Sequence, residues 1–270
     1  MISTRGGISS GGRADLAAVL GPGRRFVTTH DVVTALGVDA ETASRKLSRW
    51  AAEGWLRRAR RDLYIPVPLD ASNPAAWSED ALVVATAVWP ESYITGWTSA
   101  NHWAMTDQLF RTTVVKTAGR VRASSVRVLD HDYLVTHTSA DSLAWGMKME
   151  WHDEVRLRIA DPARTVIDIL DTPRLGGGIR HATDILSSYL DSHDPLVLVD
   201  YGDRLGNRTV FKRLGYIVEF LGGHGDLVAA SRDRISTGVS PLDPDAPRSG
   251  RTITRWQLRI NVALAYAEPA

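Results

Sequence analysis

The chain contains no cysteine. A disulfide framework and thiolate metal sites are thereby excluded, and a cytoplasmic setting is the natural expectation. No apolar run approaches the ~18 residues of a membrane-spanning helix, so no membrane partner is expected. The opening segment, MISTRGGISSGGRADL, has no apolar h-region. Residues 1–12 are read as a flexible polar N-terminus and not as a secretory signal. The eight histidines show no HxxxH or HExxH spacing, so zinc would have to rely on scattered histidines and carboxylates. No metal and no cofactor is expected. There is no short internal repeat and no low-complexity block.

What is present is an ordinary globular composition, 44% apolar and 23% charged. At 270 residues the chain can form one large domain or two modest ones. Its net charge of +1 hides an asymmetry. Residues 1–65 hold 11 Lys and Arg against 6 Asp and Glu, whereas residues 66–270 hold 21 against 25. A basic head on a mildly acidic body points to a polyanion partner for the head.

That head carries the strongest local pattern. A short helix is expected over Arg13–Leu20, ended by GPGRR. Thr28-Thr29-His30-Asp31 has the spacing of a capping box and opens a second helix running to Leu36. Gly37-Val38-Asp39 turns the chain, and Asp39 suits the N-cap of a third helix, Ala40–Glu53, stopped by Gly54. On that third helix Leu47, Trp50 and Ala51 fall within about 80 degrees of Ala43 and form the packing stripe with it. Thr42, Arg45, Lys46 and Arg49 share a second strip roughly 135 degrees away. Trp50 therefore reads as core and not as a base-stacking residue, and His30 as solvent-exposed.

After Gly54 comes WLRRARRDLYIPVP. Trp55-Leu56 begin a strand, Leu63-Tyr64-Ile65 return, and Pro66 and Pro68 stop the sheet. Arg57, Arg58, Arg60 and Arg61 are placed at the tip between them, where like charges repel unless phosphates lie opposite. Three helices with a tight turn and a basic hairpin define an N-terminal winged helix-turn-helix over 13–68. Thr42, Arg45 and Lys46 are candidates for base edges, Arg45 as a bidentate partner of guanine. Arg49 and the four hairpin arginines are candidates for phosphates.

Residues 69–77 (LDASNPAAW) read as a linker, and 78–270 as a larger mixed α+β domain. Its helices are expected at Ser78–Val88, after Asp161-Pro162, and within IRHATDILSSYL, LVLVDYGDRL, NRTVFKRLGYIVEFLG and GDLVAASRDRI. Strands are expected at RTTVVKT, SVRVLD, DYLVTH, around VRLRIA, and as one final strand in TITRWQLRINV.

Several stretches together resemble the AbiEi-type antitoxins of abortive-infection toxin–antitoxin systems. They are GWLRR with RDLYIP in 54–66, YITGWTSA at 93–100, IADPARTVID at 159–168 with GGI at 177–179, and RLGNRTVFKRLGY at 204–216. The resemblance implies an autorepressor whose N-terminal domain binds inverted repeats in its own operator. It also implies an antitoxin counteracting a nucleotidyltransferase-like toxin, a role linked to the C-terminal domain. Location would be cytoplasmic, on the nucleoid. Asp62 stands where that family commonly has glycine in the hairpin turn, a position Asp tolerates.

No enzyme activity is expected. The rival classes are a DNA-binding head fused to a metal-dependent nuclease and an effector-sensing repressor. The nuclease would need carboxylates and a lysine around magnesium. Asp200, Asp203 and Lys212 lie in a helical stretch, and Lys148-Met149-Glu150 has a nuclease-like spacing in reverse order. Asp161, Arg164 and Asp168 share a helix face, which capping and an i,i+4 pair explain. GGG at 176–178 and LGGHGD at 221–226 read as helix stops, and Ser99 and His102 as packing residues without a GxSxG elbow.

Overall fold

Helix starts in this chain are written in its side chains. The computed structural model describes residues 7–71, 73, 77–152 and 154–264. The expected linker therefore lies partly outside the described residues, as does the first half of the expected flexible N-terminus. Among the described residues the chain is mixed α+β, with ten α-helices and three sheets, and it divides into two compact units. The first comprises residues 1–90 with 126–132, the second 91–125 with 133–270.

The first unit opens with α1 (Ser10–Leu20), three residues longer at its start than the sequence suggested, because Ser9 accepts the Gly12 amide as N-cap. Helix α2 (Thr29–Leu36) begins with a complete capping box: Thr28 and Asp31 exchange side-chain-to-backbone bonds. Gly37 then takes φ 66°, a left-handed turn that favours glycine. Asp39 caps α3 (Ala40–Ala52) through the Thr42 amide at 2.8 Å. The predicted stripe of α3 faces inward: Ala43, Leu47 and Trp50 are buried against Leu16, Val19 and Val32. Strands β1 (Leu56–Arg60) and β2 (Leu63–Pro66) form an antiparallel hairpin. Val27 pairs with Tyr64 through two 2.9 Å backbone bonds, joining the α1–α2 connection to the hairpin. Leu56 and Tyr64 close the helical core from this side. Helix α4 (Ala81–Val88) starts later than Ser78 because Asp80 is its cap, bonding the Leu82 and Val83 amides.

In the second unit β3 (Ser92–Ile94) leads into α5 (Gly96–His102), then β4 (Thr112–Thr117). Strand β5 (Ser125–Val128), the turn after it and the two residues that follow supply the first unit's residues 126–132. Strands β6 (His131–His137), β7 (Met147–His152) and β8 (Val155–Ala160) follow. The order β6-β4-β3-β8-β7 puts β7 on an outer edge. Strand β3 runs antiparallel to β4 and parallel to β8, and β7 antiparallel to β8. Neither β3 nor β7 was among the expected strands.

Asp161 caps α6 (Pro162–Asp171), with proline at the first position, as the sequence indicated. Helices α7 (Ile179–Ser192), α8 (Val197–Leu205), α9 (Thr209–Leu221) and α10 (Gly225–Arg232) build a second core around α6. The expected single C-terminal strand is instead a hairpin, β10 (Arg251–Ile253) and β11 (Leu258–Ile260), with β11 also paired to the short β9 (Ser240–Pro241). A 3-10 turn over Thr254–Trp256 and a left-handed Gln257 (φ 49°) break the run and drive Trp256 into the core.

Candidate nucleic-acid interface

Helix α3 holds its polar strip in the predicted register. Arg45 and Arg49 are exposed, while Thr42 and Lys46 are half-buried. Each has a local partner. Thr42 Oγ1 donates to Asp39 Oδ2 at 2.9 Å, and that carboxyl is held below its usual range by the Thr42 amide first and its hydroxyl second. Arg45 donates to Thr42 Oγ1 at 3.1 Å and to Glu41 Oε1 at 3.4 Å, with a side chain 70% exposed. Lys46 reaches back to Asp15 on α1 at 2.7 Å, and Arg49 pairs with Glu53 at 2.8 Å. The Arg45–Glu41 pair is exposed on both sides and contributes about 0–1 kcal/mol, so phosphate oxygens can replace that carboxylate at little cost. The Glu53 side chain is only 17% exposed, so Arg49 is held more firmly. Lys46, pinned between helices, is the least free of the four. His30 is exposed.

The hairpin separates its arginines. Arg57, Arg58 and Arg60 lie along β1, and only Arg61 occupies the turn with Asp62. Successive strand residues face opposite ways, so Arg57 and Arg58 diverge. Arg58 lies over the Tyr64 ring, 6.0 Å from its centroid, and Arg58, Arg60 and Arg61 are exposed. Arg57 turns inward: it donates to the Trp77 carbonyl and, at 2.8 Å, to Asp130, and is only 20% exposed. That hydrogen bond holds the Asp130 carboxyl below its ordinary value. The register shifts between Arg58 and Arg60, leaving Ala59 as a bulge.

Asp62 is a participant that sequence reasoning undervalued. It takes φ 58°, the glycine-like conformation, and its Oδ1 accepts the Thr29 amide at 2.8 Å. The turn carboxylate thus supplements the cap of α2, where the helix dipole favours an anion. Asp31, beside it, keeps its proton affinity low: partial burial raises it, but Thr28 and Arg24 outweigh that.

The second unit contains a different concentration of charge. Asp168 on α6 is fully buried. Its Oδ1 accepts from Lys116 Nζ at 2.9 Å and Arg164 Nε at 3.1 Å, and its Oδ2 from Tyr93 at 2.9 Å and Thr95 at 2.8 Å. Burial alone would raise its pKa, but Lys116 and Arg164 reverse the shift and keep it ionised. Arg164 also donates to the Tyr93 hydroxyl at 2.8 Å and lies 3.6 Å over the Trp145 ring. Every acceptor site of the carboxylate is occupied, which makes this a structural knot. The i,i+4 pair was visible in the sequence; the contribution of Lys116 from a neighbouring strand was not.

The residues considered for a nuclease do not assemble. Asp203 is held by Arg208 and Arg234, both at 2.8 Å, while Lys212 donates to the Gly238 carbonyl at 2.6 Å. Lys148 and Glu150 lie on β7, and Asp161 is occupied as a cap and by Tyr201 at 2.8 Å. Ser99 is buried and bonded to the Gly96 carbonyl and Thr165, and His102 packs edge-on against Trp103. Among the described residues no group of three His, Cys, Asp or Glu could hold a metal ion, and no helix is long and apolar enough to cross a membrane.

No family model and no curated protein matches the chain. Among solved structures it is similar to the crystal structure of the RV2827C protein from Mycobacterium tuberculosis. That likeness has a TM-score of 0.65 at 15% identity and covers 95% of this chain and 92% of the other. It is a likeness of fold.

Proposed function

We propose that the chain is a DNA-binding transcriptional autorepressor and antitoxin of the AbiEi type, with residues 13–68 acting as a winged helix-turn-helix. The observation that carries this reading is the outward display of Arg45 and Arg49 on α3, followed by the exposed Arg58, Arg60 and Arg61 of the hairpin. In this reading α3 lies in the major groove, with Thr42, Arg45 and Lys46 toward base edges. Arg49 and the exposed hairpin arginines hold phosphates. Arg57 is assigned a supporting part, because Asp130 already neutralises it.

The partner is double-stranded operator DNA with inverted repeats, and the second unit serves the neutralisation of a nucleotidyltransferase-like toxin. No catalytic role is assigned. The test is titration of the purified full chain against its own upstream DNA and a shuffled duplex at several salt concentrations. Preference for the upstream DNA with a steep salt dependence is the expected result; equal and salt-insensitive binding defeats the proposal. Co-expression with the adjacent toxin gene then tests the antitoxin half. Growth rescue should survive loss of Arg45, and rescue that requires operator binding would confine protection to transcription.

A further inference from the structure

Strand β7 reads Met147-Lys148-Met149-Glu150-Trp151-His152 and, among the described residues, has a neighbouring strand on one side only. Its apolar residues face the wrong way for an isolated molecule: Trp151 is 68% exposed and Met149 46%. Across the hairpin Trp151 stands opposite Arg156 and Met149 opposite Arg158, and the Arg156 guanidinium lies 5.7 Å from the Trp151 ring. Exposed Trp, Met and Arg together are the composition of an interface centre. Lys148 and Glu150 occupy the alternate positions, and neither has an ion-pair partner among the described residues.

The backbone is also ready. The Asp161 amide bonds the Gly146 carbonyl at 3.0 Å, which sets the alternation of the β7–β8 ladder. By that alternation Lys148 and Glu150 direct their peptide groups toward β8. Met147, Met149 and Trp151 direct theirs to the open edge. An open edge of this kind is a template for another strand.

We propose that two copies of the chain join antiparallel through β7, with the two-fold axis at Met149. The sequence is self-complementary about that point. Met149 faces Met149 of the second copy, Lys148 faces Glu150, and Met147 faces Trp151. The backbone groups of Met147, Met149 and Trp151 then find partners in the ladder. Lys148 and Glu150 fall at the non-hydrogen-bonded positions, where side chains approach closest and opposite charges attract. A single lysine on an edge strand repels its own copy; Glu150, two residues on, converts that repulsion into two attractions. Met147 and Trp151 form a sulfur–aromatic contact on the other face. Such an isologous interface closes as a dimer and goes no further.

Sedimentation equilibrium of the full chain without DNA tests this independently of the operator reading. The wild type should approach twice 29.6 kDa as concentration rises. Lys148→Glu and Glu150→Lys should each shift the dimer midpoint upward at least tenfold in concentration, since each sets like charges opposite. The double variant should recover dimerisation, and an equimolar mixture of the two single variants should form heterodimers. Far-ultraviolet circular dichroism matching the wild type confirms that each single variant is folded. A wild type that stays at 29.6 kDa throughout, or a dimer indifferent to all three changes, overturns the proposal.

Discussion

The Asp62 carboxylate accepts the amide N–H of Thr29 at 2.8 Å, so the tip of the β1–β2 hairpin is fastened to the first residue of α2. Two demands meet at this residue, an acceptor for a free helix amide and a left-handed φ of 58°. Asp62→Gly relieves the backbone and loses the bond; Asp62→Ala loses the bond and keeps the strain. Alanine should therefore be the less stable of the two, by roughly 1 kcal/mol, the usual cost of left-handed backbone for a residue with Cβ. Urea unfolding of both variants checks the order, and equal stabilities would mean that φ imposes nothing here.

The inward turn of Arg57 sets it apart from the exposed Arg58, Arg60 and Arg61, and the proposed DNA binding assigns them different parts. Removing Arg58, Arg60 or Arg61 should flatten the dependence of log K on log salt by about 0.9 for each phosphate left without its cation, with stability nearly unchanged. Arg57→Ala should do the opposite: it frees Asp130 and the Trp77 carbonyl, lowering stability while leaving the salt slope in place. A slope change for Arg57→Ala equal to the others would place its guanidinium on the DNA.

Arg45 is the most exposed cation of the α3 strip and among the described residues is held only by Glu41 and Thr42. Arg45→Ala should cost about 1–3 kcal/mol against the operator and much less against shuffled DNA, the mark of a base-reading residue. Equal losses on both duplexes would make it a phosphate-binding residue instead.

The divergence of Arg57 and Arg58 was within reach of the sequence, because a strand alternates faces, yet the charge cluster drew all four arginines to the tip. Helix α3 was legible because its stripe and its cap sit at fixed spacings that need no tertiary partner. Strand β3 is three residues long and wholly buried, so it has no alternation to read. Strand β7 alternates, but with its apolar members outward, which reverses the usual sign. The ion cluster at Asp168 was only half visible, since sequence spacing reveals partners on one helix and not Lys116 across the sheet. Asp62 looked like a tolerated substitute for glycine; its bond to Thr29 spans 33 residues and depends on the fold.

The Asp168 cluster makes stability depend on pH. Its folded pKa lies below the unfolded value, so its contribution is fully present above the ordinary carboxylate pKa of about 3.9 and is lost as pH falls through the folded value. Asp168→Asn leaves Lys116 and Arg164 buried without that counter-charge and should cost about 3–5 kcal/mol at neutral pH. Chemical denaturation between neutral pH and the acid range should show a shallower decline for Asn than for wild type. Parallel curves would show that Asp168 carries no titrating load.

The glycine of the R-L-G-Y stretch has a steric reason. A Cβ on Gly215 would overlap Cη2 of Trp256, whose fully buried ring rests against α9 and donates to Glu219 at 2.6 Å. Gly215→Ala should therefore force the indole away and cost about 1–3 kcal/mol, although alanine is the better helix former. Trp256→Leu alone should cost about 3 kcal/mol for the cavity it leaves. In the double variant the new methyl occupies part of that cavity, so the combined loss should fall short of the sum of the single losses. Additive losses in urea unfolding would show that the two residues do not compete for one volume.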